Sequence, residues 1–181
     1  MSTMKAVVLR ESGGPEMLRV EQRPIPVPKV GWVRIAVRAF GLNRSELFTR
    51  QGHSPSVTLP RILGIEAVGT IDEAPGGEFA HGDVVATVMG GMGRQFDGGY
   101  AQFICVPAQN AVKVETQLPW DVLGALPEML QGGFFILFAR RSARTTLAGA
   151  WGNDIGRDGG DRTRASGRRR GDGNDAPGKP D

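Results

Sequence analysis

The chain has 181 residues, a net charge of +3 and a sequence pI near 9.5. Residues 1–131 carry 12 Lys+Arg against 13 Asp+Glu, whereas the last 50 positions carry 10 against 6. The basic character therefore belongs to the C-terminal stretch, and a nucleic-acid surface is the disfavoured reading for the first 131 residues.

Lys5–Leu9, rich in β-branched residues, reads as a first strand ended by Ser12-Gly13-Gly14-Pro15. Met17–Glu21 reads as its returning strand. Pro24, Pro26 and Pro28 each lack an N–H, so they predict an extended linker or edge. Trp32–Phe40 alternates with period two: Val33, Ile35, Val37 and Ala39 face one way, Arg34 and Arg38 the other. Asn43–Arg50 predicts a short helix with Leu47 and Phe48 on its buried side. Ile62–Ile71, interrupted by Gly64 and Gly69, predicts a strand in close backbone contact with its neighbours. Gly82–Met89, Tyr100–Val106 and Ala111–Val114 predict three more strands. Pro119–Leu130 reads as a helix with proline at its first position. Six or seven short strands with Gly/Pro turns and few helices predict a mainly β, barrel-like domain over 1–131.

The chain changes at Gly132. Residues 132–150 form an aberrant apolar and basic segment whose run from Phe134 to Ala139 is too short to span a bilayer. Residues 151–181 are rich in Gly and Arg, with Trp151, Ile155, Ala165 and Ala176 as their only apolar side chains, and are expected to be disordered. The cluster Arg162 to Arg170 has only Trp151 upstream for stacking and Asp interspersed, so a specific nucleic-acid site is not expected there. The N-terminus lacks a sustained apolar core, so no secretory leader is expected. Cys105 is the single cysteine, which excludes an internal disulfide and fits a reducing, cytoplasmic compartment. With only His53 and His81 beside it, a His/Cys zinc cluster cannot be assembled.

Five strings stand in order: Gly13-Gly14-Pro15-Glu16, Gly41-Leu42-Asn43-Arg44-Ser45-Glu46-Leu47, Pro60-Arg61-Ile62-Leu63-Gly64-Ile65-Glu66-Ala67-Val68-Gly69, Gly82-Asp83-Val84-Val85 and Gly98-Gly99-Tyr100-Ala101. Together they resemble the N-terminal, GroES-like catalytic domain of the medium-chain dehydrogenase/reductase superfamily, in its quinone oxidoreductase branch. That resemblance implies a GroES-like, partly open β-barrel and an NADPH- or NADH-dependent reductase acting on a quinone or an enone. Zinc-dependent members carry Gly-His-Glu where this chain has Gly64-Ile65-Glu66, and a zinc-binding Cys near Asn43. Isoleucine cannot ligate a metal and an Asn amide is a poor zinc ligand, so the zinc-independent branch is implied.

The resemblance implies a polar contact from Asn43 to nicotinamide and substrate, and a cofactor contact from Met129. The alternative for Asn43 is an amide that stabilises the turn before the helix. His53, in a loop that borders the family's substrate cleft, is a candidate proton donor, against the favoured reading of a solvated loop histidine. Glu46 either orients its loop by pairing with Arg44 or Arg50 or is a surface charge. Glu66 lies in an apolar run and needs a partner; an ion pair with Arg61 or Arg50 is favoured over acid/base work. Gly64 and Gly69 are expected to be packing glycines, Gly82 and Asp83 a structural turn, His81 a turn residue and Cys105 a small core residue. Gly90-Gly91-Met92-Gly93 lacks G-x-G-x-x-G spacing and is read as a flexible loop.

The family continues into a Rossmann domain, which residues 132–181 do not resemble. The expectation is a truncated or frameshifted chain that binds cofactor weakly. The alternatives are a genuine short protein and a cofactor-free binding or assembly module. A homo-oligomer is allowed by either.

Overall fold

Alternation of β-branched and polar residues builds most of the elements in the computed structural model, which describes residues 2–132. Strand β1 (Thr3–Leu9) pairs antiparallel with β2 (Leu18–Pro24), from Thr3 opposite Pro24 to Leu9 opposite Leu18. A 3-10 turn, Pro15–Met17, joins the two. The short β4 (Arg61–Ile62) lies on the other side of β1, giving a three-stranded sheet β2-β1-β4. A second, five-stranded antiparallel sheet has the order β7-β3-β5-β6-β8. Its strands are β3 (Trp32–Ala39), β5 (Glu66–Glu73), β6 (Val84–Val88), β7 (Phe103–Pro107) and β8 (Ala111–Lys113).

The segment before β7 joins the two sheets. Ala6 bridges Ala101, the Val7 N–H donates to the Tyr100 carbonyl at 2.8 Å, and the Gln102 N–H donates to the Lys5 carbonyl at 3.1 Å. The result is the mainly β, barrel-like domain that the strand and turn pattern predicts, curled and partly open as the resemblance implies. Val33 and Ile35 of β3, Leu9, Val85 and Val106 are wholly buried inside it. Each such side chain contributes about 1.5–3 kcal/mol of hydrophobic burial. Among the described residues no helix is long and apolar enough to cross a membrane.

Three local expectations are corrected. Ile62–Ile71 is not one strand: the chain leaves β4, turns at Gly64 with φ +107° and re-enters the other sheet as β5. Gly64 meets the backbone of Gly99 and Tyr100, a contact between remote segments that local composition does not encode. Pro119–Leu130 is not one helix either. Helix α2 (Trp120–Leu123) stops at Gly124, and residues 127–132 are helical again. Pro127 has no N–H for a continuing helix ladder, so it starts the second segment.

The third correction concerns α1 (Arg44–Arg50), whose buried residues are Glu46, Thr49 and Arg50, while Leu47 and Phe48 are 40% and 43% exposed. Its polar face is drawn inward by hydrogen bonds. Thr49 Oγ1 donates to the Ser45 carbonyl at 3.1 Å and lies 2.9 Å from Ser54 Oγ, and the Arg50 guanidinium donates to the Gly13 carbonyl.

The glycine and turn residues sit in tight backbone. Gly69 faces Val37 where β3 and β5 shift register, and an added Cβ would run into the Ala36 carbonyl oxygen. Gly82 has φ +87°. Asp83 accepts the Ala80 N–H at 3.0 Å and pairs with Lys113 of β8 at 2.6 Å, which holds its carboxyl below the usual range. Cys105, on β7, is half-buried and not among the buried core; burial pushes its thiol up to about 11. Met92 is buried in the core, so the 90–93 glycine loop is pinned at its centre. The expectations for 133–150 and 151–181 lie outside the described residues.

Candidate functional site

The loop from β3 into α1 and the start of β5 bring two carboxylates to one place. Glu66 opens β5 and is 2% exposed. Its Oε1 accepts from Asn43 Nδ2 at 2.7 Å and its Oε2 from the Glu128 N–H at 2.9 Å. Residues this far apart in the chain meet because Gly41 admits the carboxylate: a Cβ there would fall on Glu66 Oε1. The expected ion pair is not formed. Among the described residues no cation pairs with Glu66; Arg50 is committed to Gly13, and Arg61 to Asp97 at 3.3 Å. Burial of the carboxylate is compensated by two N–H donors instead, which meet the same physical need.

Glu46 departs from both of its expected roles, being neither paired with Arg44 or Arg50 nor on the surface. It is 5% exposed, and its Oε1 accepts the Ile65 N–H at 2.9 Å. Its Oε2 is buried with no hydrogen-bond partner among the described residues. Burial raises the Glu46 carboxyl above its ordinary range, opposed by the Ile65, Glu46 and Asn43 backbone N–H groups and the Asn43 side chain. A raised folded-state pKa means that Glu46's contribution to stability is fully present below the ordinary carboxylate pKa. That contribution fades as pH rises through the folded value. The stability of the wild type relative to Glu46→Gln is therefore expected to fall from pH 4 to pH 8. Urea titrations at a series of pH values check this, and a flat or rising difference contradicts it.

The Tyr100 phenol is raised too, first by burial and then by the charges of Glu46 and Glu66, so it keeps its proton. Its ring packs on Phe40 with centroids 4.8 Å apart and lies over Gly64. Arg94 donates to Ser45 Oγ at 2.7 Å, setting a cation beside the first turn of α1. Tyr100 and Gly41 stand within the sequence strings above without an assigned role. Arg94 and Glu128 carry no local signal, since they reach the cluster only through the fold.

Asn43 is half-buried at the N-cap of α1, yet its side chain makes no capping hydrogen bond. An N-cap Asn ordinarily accepts an N–H of the first turn. Here the amide is turned toward Glu66 instead. Met129 is 69% exposed and follows Glu128, whose N–H is tied to Glu66; the Glu66 bridge is thus the link from Asn43 to the Met129 segment. His53 is not brought to this cluster. It is exposed just past α1, with its ring against Phe48 at 6.2 Å between centroids.

Zinc does not fit these residues. Ile65 offers no donor, the Asn43 amide and Glu66 are hydrogen-bonded to each other, and Cys105 lies on β7. No group of three or more His, Cys, Asp or Glu among the described residues is placed to hold a metal ion.

Residues 29–116 match the family model of the alcohol dehydrogenase GroES-like domain. The chain is 34% identical to a quinone oxidoreductase of Pongo abelii over 120 residues, covering 64% of this chain and 35% of that protein. It superposes on the human synaptic vesicle membrane protein VAT-1 homolog-like protein with a TM-score of 0.68 and 28% identity, over 77% of this chain and 44% of that one. A mycobacterial protein solved with NADPH superposes with a TM-score of 0.64 and 30% identity, over 74% and 39%. The chain spans less than half the length of each of these relatives.

Proposed function

We propose that the chain, whose residues 29–116 match the alcohol dehydrogenase GroES-like domain model, is the substrate-side part of a zinc-independent, NAD(P)H-dependent oxidoreductase of the medium-chain dehydrogenase/reductase superfamily that reduces a quinone or an enone. The observation that carries this reading is the Asn43–Glu66–Glu128 bridge, a rigid polar contact where zinc-dependent relatives would need metal donors. The cofactor half of the site fits in part. Asn43 would meet its nicotinamide end, with Met129 nearby. The described residues contain no glycine-rich strand–turn–helix to hold a pyrophosphate.

When bound, the reduced nicotinamide supplies the hydride. This chain's residues position and shield the reactants. Glu66 fixes Asn43, while Tyr100, Phe40 and Ile65 give the site an apolar wall. His53 is exposed and lies outside this cluster, so the proton that completes the reduction is drawn from solvent.

The test is a titration of the full chain with NADPH and with NADH, followed by nicotinamide fluorescence, and then oxidation by benzoquinone or cyclohexenone. The expected result is weak, saturable binding that Asn43→Leu reduces at least tenfold. No saturable binding to a folded chain would sink the reading. It would favour instead a cofactor-free binding module on the same β-domain. The exposed apolar side chains Leu42 (81%), Met129 (69%) and Leu130 (64%) support that second reading.

A further inference from the structure

We propose that a cavity of about 240 Å³ beside the proline segment 24–28 is a binding site for a small aromatic carboxylate, its ring held among Trp32, Phe96 and Phe103 and its carboxylate by Arg23. None of Asn43, Glu46, Glu66 or Tyr100 lines this cavity. The site is therefore separate from the Asn43–Glu66 cluster and does not depend on the oxidoreductase reading.

The walls come from both sheets and are fixed in place. Arg23 and Pro24 end β2, Trp32 opens β3, and Phe103 and Cys105 lie on β7. Pro24 and Pro26 each hold φ at about −65° and have no N–H to offer a neighbouring strand. Between them the Ile25 N–H donates to the Ser2 carbonyl at 3.1 Å. The Pro26 carbonyl accepts from Arg34 at 3.1 Å, and Arg34 is itself paired with Asp72 at 2.6 Å. These ties keep the extended segment from closing over the space.

Size and lining select an aromatic ring. Trp32 meets Phe96 edge to face, with centroids 5.1 Å apart, and a ligand ring adds a further contact of that kind. An apolar cavity of about 150 Å³ suffices for benzene, so the volume here admits a second fused ring or a polar substituent. Charge selects the substituent. Asp97 is already engaged, because its Oδ1 accepts the Ile62 N–H at 3.1 Å and the Arg61 guanidinium at 3.3 Å. Arg23 has no ion pair among the described residues. Lys29 adds a second cation, 4.9 Å from the centre of the Trp32 ring. A carboxylate meets attraction from both and can take the planar guanidinium fork, whereas an aromatic cation is repelled.

Cys105, the single cysteine of the chain, is in the same lining and reports occupancy. Burial pushes its thiol up to about 11, so its modification is slow enough to time. The experiment follows the rate at which N-ethylmaleimide modifies the full chain while 2-naphthoate is titrated. The expected result is a saturable slowing of at least fivefold. The alcohol 2-naphthylmethanol, with the same rings and no charge, should need a concentration at least tenfold higher for the same effect. Arg23→Gln should bring the two compounds level. Modification unaffected by naphthoate, or slowed equally well by the alcohol, overturns the proposal, as does naphthoate protection unchanged in Arg23→Gln. The comparison of the two compounds on the wild type stands even if the variant fails to fold. No nicotinamide is present, so these outcomes are distinguishable from failure of the titration above.

Discussion

Gly64→Ala is expected to destabilise the chain by about 4 kcal/mol, combining roughly 1–3 for backbone strain with roughly 1–3 for overpacking. Gly64 has φ +107°, a conformation that an L side chain rarely adopts. An added Cβ would also stand 2.7 Å from the Gly99 nitrogen, 2.8 Å from Tyr100 Cδ1 and 2.9 Å from the Tyr100 nitrogen. Two of those three atoms are backbone, so no rotamer change relieves the overlap. A domain with about 5–15 kcal/mol of stability would lose a large share of it. At roughly 3–5 °C per kcal/mol for a domain of this size, the melting temperature is expected to fall by about 15 °C.

Gly77→Ala is the matched control. Its φ is +76°, but an added Cβ meets nothing within 4 Å, so it carries the strain alone and should cost about 1 kcal/mol. Urea unfolding of both variants checks the pair. Equal losses would mean that the approach of Gly64 to Gly99 and Tyr100 is not what the site depends on.

Glu66→Ala is the second large effect, at about 3 kcal/mol. Removing the carboxylate leaves the Asn43 amide and the Glu128 N–H without their acceptor, in a place where Glu66 itself is 2% exposed. A buried donor stripped of its partner costs about 1–3 kcal/mol. Both donors bear that cost unless water enters the space left. Backbone hydrogen exchange at Glu128 locates the damage: its amide should lose protection while Val33 and Ile35 in the core of β3 keep theirs until global unfolding. A Glu66→Ala chain as stable as the wild type would contradict the bridge altogether. Glu66→Gln keeps one acceptor and should fall between the two.

Much of the fold was legible without coordinates. The alternation through Val33, Ile35, Val37 and Ala39 marks β3, because a pleated strand sends successive side chains to opposite faces. Gly13-Gly14-Pro15 marks the turn that pairs β1 with β2. Both signals are local, and the structure keeps them. The helix α1 was legible as an element but not in its orientation. Leu47 and Phe48 look like the buried face by hydrophobicity, whereas Glu46, Thr49 and Arg50 take it, each held by polar contacts that hydrophobicity does not register.

The site divides in the same way. Composition alone shows that Glu66, set among apolar residues, must find a partner, and the resemblance to zinc-dependent relatives implies that Ile65 and Asn43 stand where those carry donors. Only the tertiary structure decided which partner. A buried carboxylate can be satisfied by a guanidinium or by neutral N–H donors, and nothing in the run from Ile62 to Val68 distinguishes them. The donors come from 23 residues upstream and 62 residues downstream, at Asn43 and Glu128. Residue identity is written locally, but a hydrogen-bond partner depends on which segments the packed sheets bring within about 3 Å of each other.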